Sequence, residues 1–165
     1  MKISDHKYKT EFEAFLQTER HLALMVRSRV DRWKDAKIAV RQKPYGAWIS
    51  YTWANFGEQI DAAAKGLLSL GVKETDMVGI FSNNRVEWSI ADLAALSIRA
   101  VSVPIYGTDS QHEANYIIDD AQIRILFVEN QDQYDKALAI LNTSALLEKI
   151  IVFDKDVSIP ERKDI

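Results

Sequence analysis

With 165 residues, 47 % of them apolar, the chain is long enough to bury one ordinary core and short enough to be read as one unit. Its charged residues, 27 % of the total, nearly cancel to a net charge of −3, which excludes the basic footprint of a nucleic-acid binder and the bias of a disordered acidic tail. The absence of cysteine excludes disulfide frameworks, thiolate zinc sites and cysteine nucleophiles together, and is compatible with the cytosol.

The opening residues, MKISDHKYKTEFEAF, lack the apolar core of a signal peptide, and no apolar run approaches the ~18 residues needed to span a bilayer. A cytoplasmic location is therefore expected. From Thr10 to about Trp33, the residues Phe12, Phe15, Leu16, Leu22, Ala23, Val26, Val30 and Trp33 recur at helical intervals, and Thr10 with Glu13 has the pattern of a capping box. This predicts a docking helix. Its arginines opposite an apolar stripe also admit peripheral association with a membrane surface, but Glu11, Glu13 and Glu19 weaken attraction to anionic lipid, so docking against the domain is preferred.

Lys37 to Gln42 and Ala47 to Tyr51 are β-prone runs around Pro44 and Gly46, which predicts an antiparallel hairpin. Thr52 then caps a second amphipathic helix carrying Trp53, Phe56, Ile60, Ala63, Leu67 and Leu68, and Gly71 stands where a left-handed residue ends it. The run Met77 to Phe81 is continuously apolar, as in a strand buried on both faces. Asn84 and Glu87 mark the start of a helix to Ile98 that is apolar most of the way round. Strand Val101 to Ile105 follows, then a helix opened by a capping box at Ser110 and Glu113, strand Arg124 to Val128, a helix opened by Asn130 and Gln133, and strand Lys149 to Phe153.

The order βαβαβαβ implies an α/β fold with a parallel, Rossmann-like sheet between two helical layers, because a parallel connection needs a long crossover. The chain is expected to form a single subdomain over 1–165, with a helix, hairpin and helix lead-in at 10–72, the alternating region at 77–153 and a polar tail at 154–165. The four tryptophans, Trp33, Trp48, Trp53 and Trp88, read as packing residues rather than stacking platforms for nucleic acid.

Ligands of a parallel sheet gather at the carboxyl ends of its strands, here the loops Ser82 to Arg85, Tyr106 to Ser110 and Glu129 to Asp132. The six glycines form neither G-x-G-x-x-G nor G-x-x-x-x-G-K-[ST], so neither pyrophosphate loop is present. The nucleophile elbow G-x-S-x-G is missing too, which leaves Ser82 as a turn residue. A receiver domain would need carboxylates after the first strand, where this chain has Ser82, Asn83 and Asn84. His6, His21 and His112 are too scattered to share a metal and read as surface residues. Asp119 and Asp120 point in different directions on a helix, as a solvated pair does. No catalytic residue and no metal ligand is identified. Arg85 beside two asparagines at a helix start is a candidate for anion binding, with a structural salt bridge as the plainer alternative. In Tyr106 to Ser110, glycine permits close backbone approach to a ligand, and a simple helix-capping loop is the alternative.

The stretch VGIFSNNRVEWSIADLAALSIRAVSVPIYGTDS resembles the N-terminal part of long-chain fatty-acid–CoA ligases, in the AMP-forming acyl-adenylate superfamily. The similar features are the run Asn84, Arg85, Glu87 and Trp88, then Ala91 to Ala94, and Val103, Pro104, Tyr106 and Thr108 ahead of a capped helix with Tyr116, Ile117 and Ile118. Tyr51-Thr52, Leu70 to Val72, Asp76 with Val78, and Leu126 to Glu129 extend the likeness, which runs from about Ile38 to Phe153. Arg99 departs from it, standing where the family commonly has glycine, so the local helix end is expected to differ.

The resemblance implies an N-terminal piece of a larger enzyme. The parent would use ATP and Mg2+ to convert a long-chain fatty acid to an acyl-adenylate and then transfer the acyl group to CoA, releasing AMP and pyrophosphate. The family's phosphate loop, adenine-binding segment, hinge and catalytic lysine have no match here, so the piece itself is expected to be inactive and to bind no cofactor. In related ligases the loop after the second strand of this region approaches CoA, which makes Gly107 and Thr108 the implied contacts on that side. The implied partners are the fatty acid and the remainder of the ligase. Sheet faces and the helix Val86 to Ile98, stripped of that remainder, are expected to expose apolar surface and favour self-association. The alternative is a free-standing α/β binding or scaffold module, and an autonomous nucleotide-binding domain is disfavoured by the missing phosphate loop.

Overall fold

The computed structural model describes residues 10, 13, 14, 17, 20–44 and 46–160. Phe12, Phe15 and Leu16 of the expected first helix, and His6, lie outside these. The expected Thr10–Glu13 box spans positions that are only partly described. The helix does not run unbroken to Trp33. Arg20 and His21 interrupt it, and His21, in extended conformation, accepts a hydrogen bond from Leu24 N (3.3 Å) to cap a new helix, α1 (Leu22–Trp33). The histidine is exposed, as expected, with capping as its role. Docking is borne out for α1. Val26 packs on the core, and Arg27 pairs with Asp61 through both ends of its guanidinium.

A single 3-10 turn (Lys34–Ala36) leads into the hairpin of β1 (Ile38–Gln42) and β2 (Ile49–Thr52), antiparallel with Gln42 opposite Ile49 and an irregularity between Ile38 and Val40. Thr52 ends β2 and also caps α2 (Trp53–Ser69), its hydroxyl accepting from Asn55 N at 3.2 Å. Gly71 takes the left-handed φ of +85° beyond the helix end.

The remaining elements are β3 (Met77–Ser82), α3 (Val86–Ser97), β4 (Val101–Tyr106), α4 (Gln111–Asp120), β5 (Ile125–Val128), α5 (Gln131–Leu141) and β6 (Lys149–Val152). The four strands form one parallel sheet in the order β4-β3-β5-β6. Chain direction reverses after β4, which puts α3 on one face and α4 with α5 on the other. Side chains of β3 alternate accordingly. Val78 and Ile80 meet Phe56, Ile60 and Leu67 of α2 and Ile90 and Ala94 of α3. Phe81 faces the opposite cluster with Ile118 of α4 and Tyr134, Ala137 and Ile140 of α5. The expected three-layer α/β fold is what forms.

Three expectations change in detail. Asn84 does not cap α3. The N-cap is Arg85, without a side-chain cap of its own, and the first-turn donor Val86 N is taken instead by Gln42 Oε1 from the hairpin at 3.2 Å. A local signal is thus replaced by a distant one. Helix α3 is not left with an exposed apolar face, because Val86, Ile90, Ala91, Leu93, Ala94 and Ala95 are buried beneath α2 and against the sheet. Exposed large apolar residues stand instead at Leu22, Leu24, Trp48, Ile49, Leu68, Val101, Tyr106 and Tyr116, among others. Trp48 is not a packing residue. It is 67 % exposed on the hairpin, with Lys43 over its ring at 6.0 Å.

Arg99 explains itself through its backbone. Its φ of +63° is the left-handed conformation that ends α3, where glycine carries no steric penalty, and its side chain, 76 % exposed, goes to solvent and pairs with Glu74 at 2.7 Å.

Gln42 also donates to the Tyr51 hydroxyl (3.2 Å), so one side chain ties the hairpin to the start of α3. Gln42→Ala is expected to cost about 1 kcal/mol, the worth of a lost helix cap. Urea unfolding reads this directly, and an unchanged midpoint would show that Val86 N finds water at no cost.

Candidate functional site

Three loops leave the carboxyl ends of β3, β4 and β5, and β3 is the strand where the sheet changes winding direction. Its two neighbours, β4 and β5, both send their chains to the face opposite α3, which opens a crevice at the end of β3. The loops are not independent there. Glu129, just past β5, accepts hydrogen bonds from Asn83 N (2.7 Å), Asn83 Nδ2 (2.9 Å) and the Ser82 hydroxyl (3.4 Å). Ser82 is buried and also donates to the Asn83 carbonyl (2.8 Å), which is the turn role expected of it.

Arg85 is the electrostatic centre. Its guanidinium lies 2.7 Å from Glu87, 2.8 Å from Asp154 and 3.8 Å from Glu129, with its plane over the Phe153 ring at 5.6 Å. Asp154 is delivered by a continuation of the β5–β6 pairing, since Phe153 N donates to Val128 O and Asp154 N to Glu129 O. Burial opposes the charge on Arg85, yet hydrogen bonds to Glu87 and Asp154 raise its affinity for the proton well above the ordinary arginine value. Burial likewise pushes the Glu87 carboxyl up, and the bonds from Arg85, its own backbone N–H and Gln42 more than reverse this, holding it below the usual range. The salt-bridge reading of Arg85 is therefore the one that forms. Arg85 faces three carboxylates, and two of them, Glu129 and Asp154, line with Arg85, Gln42, Lys43, Pro44 and Asn84 a crevice of about 340 Å³.

Gly107 and Thr108 stand at the next strand end and differ from each other. Gly107 is buried, and a Cβ built on it would lie 2.9 Å from Asn83 N, Cγ and Nδ2, so the close approach its glycine permits is to Asn83. Thr108 is exposed. Ser110 and Glu113 form the expected capping box, with Ser110 N donating to Glu113 Oε2 at 2.8 Å and Glu113 N to Ser110 Oγ at 3.3 Å.

Gln133 is the residue that sequence reasoning misplaced. Asn130 caps α5 by accepting from Asp132 N (2.9 Å), without help from position 133. Gln133 turns inward, 3 % exposed, and its Nε2 donates to the Gly107 carbonyl at 2.7 Å. The available signal was spacing, because Gln133 falls on the buried stripe of Ala137 and Ile140 rather than on the solvated face. Among the described residues no group of three His, Asp or Glu is placed to hold a metal, and Asp119 and Asp120 are exposed, as expected of a solvated pair.

A doubly wound sheet with its polar cluster at the winding reversal defines a Rossmann-like α/β architecture. The model of the AMP-binding enzyme family matches residues 26–164, and the chain belongs to that family. It is 43 % identical over 99 residues to the long-chain-fatty-acid–CoA ligase FadD15 of Mycobacterium bovis, covering 60 % of this chain and 16 % of that one. It is 32 % identical over 120 residues to the long-chain-fatty-acid–CoA ligase ACSBG2 of Xenopus laevis, covering 73 % of this chain and 16 % of that one. The chain thus spans a small part of the length of these relatives. Among solved structures, coronafacic acid ligase from Pectobacterium brasiliense superposes with a TM-score of 0.75 at 22 % identity, over 86 % of this chain and 27 % of that one. The anthranilate CoA ligase AuaEII in complex with anthranoyl-AMP superposes with a TM-score of 0.72 at 22 % identity, over 81 % and 25 %. These two likenesses concern the fold. No helix among the described residues is long and apolar enough to cross a membrane.

Proposed function

We propose that residues 1–165 form the N-terminal subdomain of a long-chain fatty-acid–CoA ligase, and that its role is to scaffold the site while the reacting groups come from the remainder of the enzyme. The parent joins a long-chain fatty acid to CoA through an acyl-adenylate, with ATP cleaved to AMP and pyrophosphate in the presence of Mg2+. The observation that carries the reading is the 43 % identity to a long-chain ligase over 99 residues. Within this subdomain, Gly107 and Thr108 lie on the CoA side.

The strand-end cluster does not fit a metal triphosphate. Three carboxylates surround Arg85, Lys43 is the one further cation among the described lining residues, and the Asn83 N–H that would greet an anion is already donated to Glu129. This cluster therefore offers adenylate chemistry no anchor, and the 165-residue chain alone is expected to be inactive.

Pyrophosphate release and acyl-CoA formation, followed with palmitate, ATP, Mg2+ and CoA, test both halves. The full reading frame is expected to give both products and the 165-residue chain neither. Pyrophosphate from the chain alone would overturn the scaffold role. A reading frame that ended at Ile165 would favour a free-standing binding module instead.

A further inference from the structure

Helix α5 follows β5, yet two of its side chains reach across the end of β3 to the turn that follows β4. Gln133 Nε2 donates to the Gly107 carbonyl at 2.7 Å, and Lys136 Nζ donates to the Asp109 carbonyl at 3.2 Å. The three-residue spacing puts both donors on one face of the helix. Between the two gripped carbonyls stands Thr108, exposed. The turn is closed by its own bond from Asp109 N to Tyr106 O (2.9 Å), and Asn83 backs it beneath Gly107.

Both donors are themselves fixed. Lys136 pairs with Asp132 at 2.7 Å and lies over the Phe81 ring at 5.8 Å. Gln133 is buried in an apolar stripe, and its Oε1 finds no hydrogen-bond partner among the described residues. A buried amide with one half unsatisfied is a costly choice where leucine or methionine would pack as well. The only use the described residues make of it is the bond to Gly107.

We propose that Gln133 and Lys136 are positioning residues, which hold the Tyr106–Ser110 turn in one shape so that it meets CoA preformed. This rests on the assignment of Gly107 and Thr108 to the CoA side. Ordering the turn during folding removes that entropic cost from binding, so the residues act on the affinity for CoA and not on the chemical step.

The test uses Gln133→Met and Lys136→Met, each keeping side-chain length while removing the donor, in the 165-residue chain and in the full reading frame. In the chain, hydrogen exchange at the Asp109 amide is expected to speed up by about tenfold, the worth of one buried hydrogen bond, while amides of β3 keep their protection. In the full enzyme, KM for CoA is expected to rise about tenfold in each variant, with kcat and the KM values for ATP and fatty acid within about twofold of the parent. Lys136→Arg, which retains a donor, is expected to restore the CoA KM. Should Gln133→Met fail to fold, the part-exposed Lys136 carries the test.

Unchanged exchange at Asp109 in the variants would overturn the clamp. Faster exchange with an unaltered CoA KM would overturn the positioning role and the CoA assignment while leaving the ligase reading intact. A full reading frame without ligase activity would refute that reading and, with it, the role toward CoA, whereas the exchange data would still report on the clamp.

Discussion

Phe81→Ala is expected to lower the unfolding free energy by about 3–5 kcal/mol, the range for truncating a fully buried aromatic. Phe81 lies near the end of the central strand β3, with no surface exposed, among Ile105, Ile118, Leu126 and Tyr134. Its neighbours come from both flanking strands and from α4 and α5, so no single element can relax to fill the space. A domain of this size has about 5–15 kcal/mol in total, and the variant should therefore fall near the edge of folding at room temperature. Phe81→Leu, which keeps most of the volume, is expected to cost about 1.5 kcal/mol or less. Urea unfolding of both variants at unchanged slope measures the difference. Equal midpoints for Ala and Leu would mean that the layer collapses freely and that Phe81 is not a keystone of the α4–α5 face. The substitution also removes the ring beneath Lys136, so it should loosen the turn at Asp109 beyond its effect on global stability.

The layering that makes Phe81 sensitive was legible in the sequence because it rests on short-range patterns. The continuous apolar run at Met77 to Phe81 and the strand pattern at Arg124 to Val128, separated by helix-length segments, left parallel pairing as the economical solution, and the boundaries moved by only a residue or so. The capping box at Ser110 and the caps at Thr52 and Asn130 were readable for the same reason, since each involves residues within one turn. What escaped was everything carried by contacts distant in sequence. Gln42 satisfying Val86 N joins residues 44 apart, and Asn84 offered a plausible local cap that was not used. The Gln133 bond to Gly107 joins residues 26 apart, and a glutamine near a helix start reads locally as part of a cap. The strand order β4-β3-β5-β6 decides that Asn83, Gly107 and Glu129 converge, and order is not written in periodicity.

Arg85 is the residue for which the two sequence readings, anion site and structural pair, diverge most in what a substitution should do. Arg85→Met keeps an apolar stem over the Phe153 ring, which itself stacks on Phe127 at 5.5 Å, and removes only the charge. Three carboxylates then face one another at the end of the sheet. Leaving charges unpaired in a fully buried site costs about 3–5 kcal/mol, and since the Arg85 side chain is 22 % exposed, water screens part of this, giving about 2–3 kcal/mol at neutral pH.

The pH dependence identifies the cause. In the parent chain Glu87 is held below its unfolded value, so its contribution to stability is present above that value and is lost as pH falls through the lower, folded one. Without Arg85, burial is opposed only by the bonds from the Glu87 backbone N–H and Gln42, so the folded value of Glu87 rises. The stability that Glu87 contributes above its unfolded value shrinks accordingly. The gap between parent and variant should therefore be widest at pH 7 and narrow toward about pH 4, where an unperturbed glutamate takes up its proton. Urea midpoints across that interval measure it, with Arg85→Lys as a control that keeps one positive charge but cannot serve Glu87 and Asp154 through separate nitrogens. A penalty independent of pH would remove the electrostatic account. Unchanged stability together with weakened phosphate binding would return Arg85 to the anion reading, and the crevice at the end of β3 would then have to be treated as a ligand site in its own right.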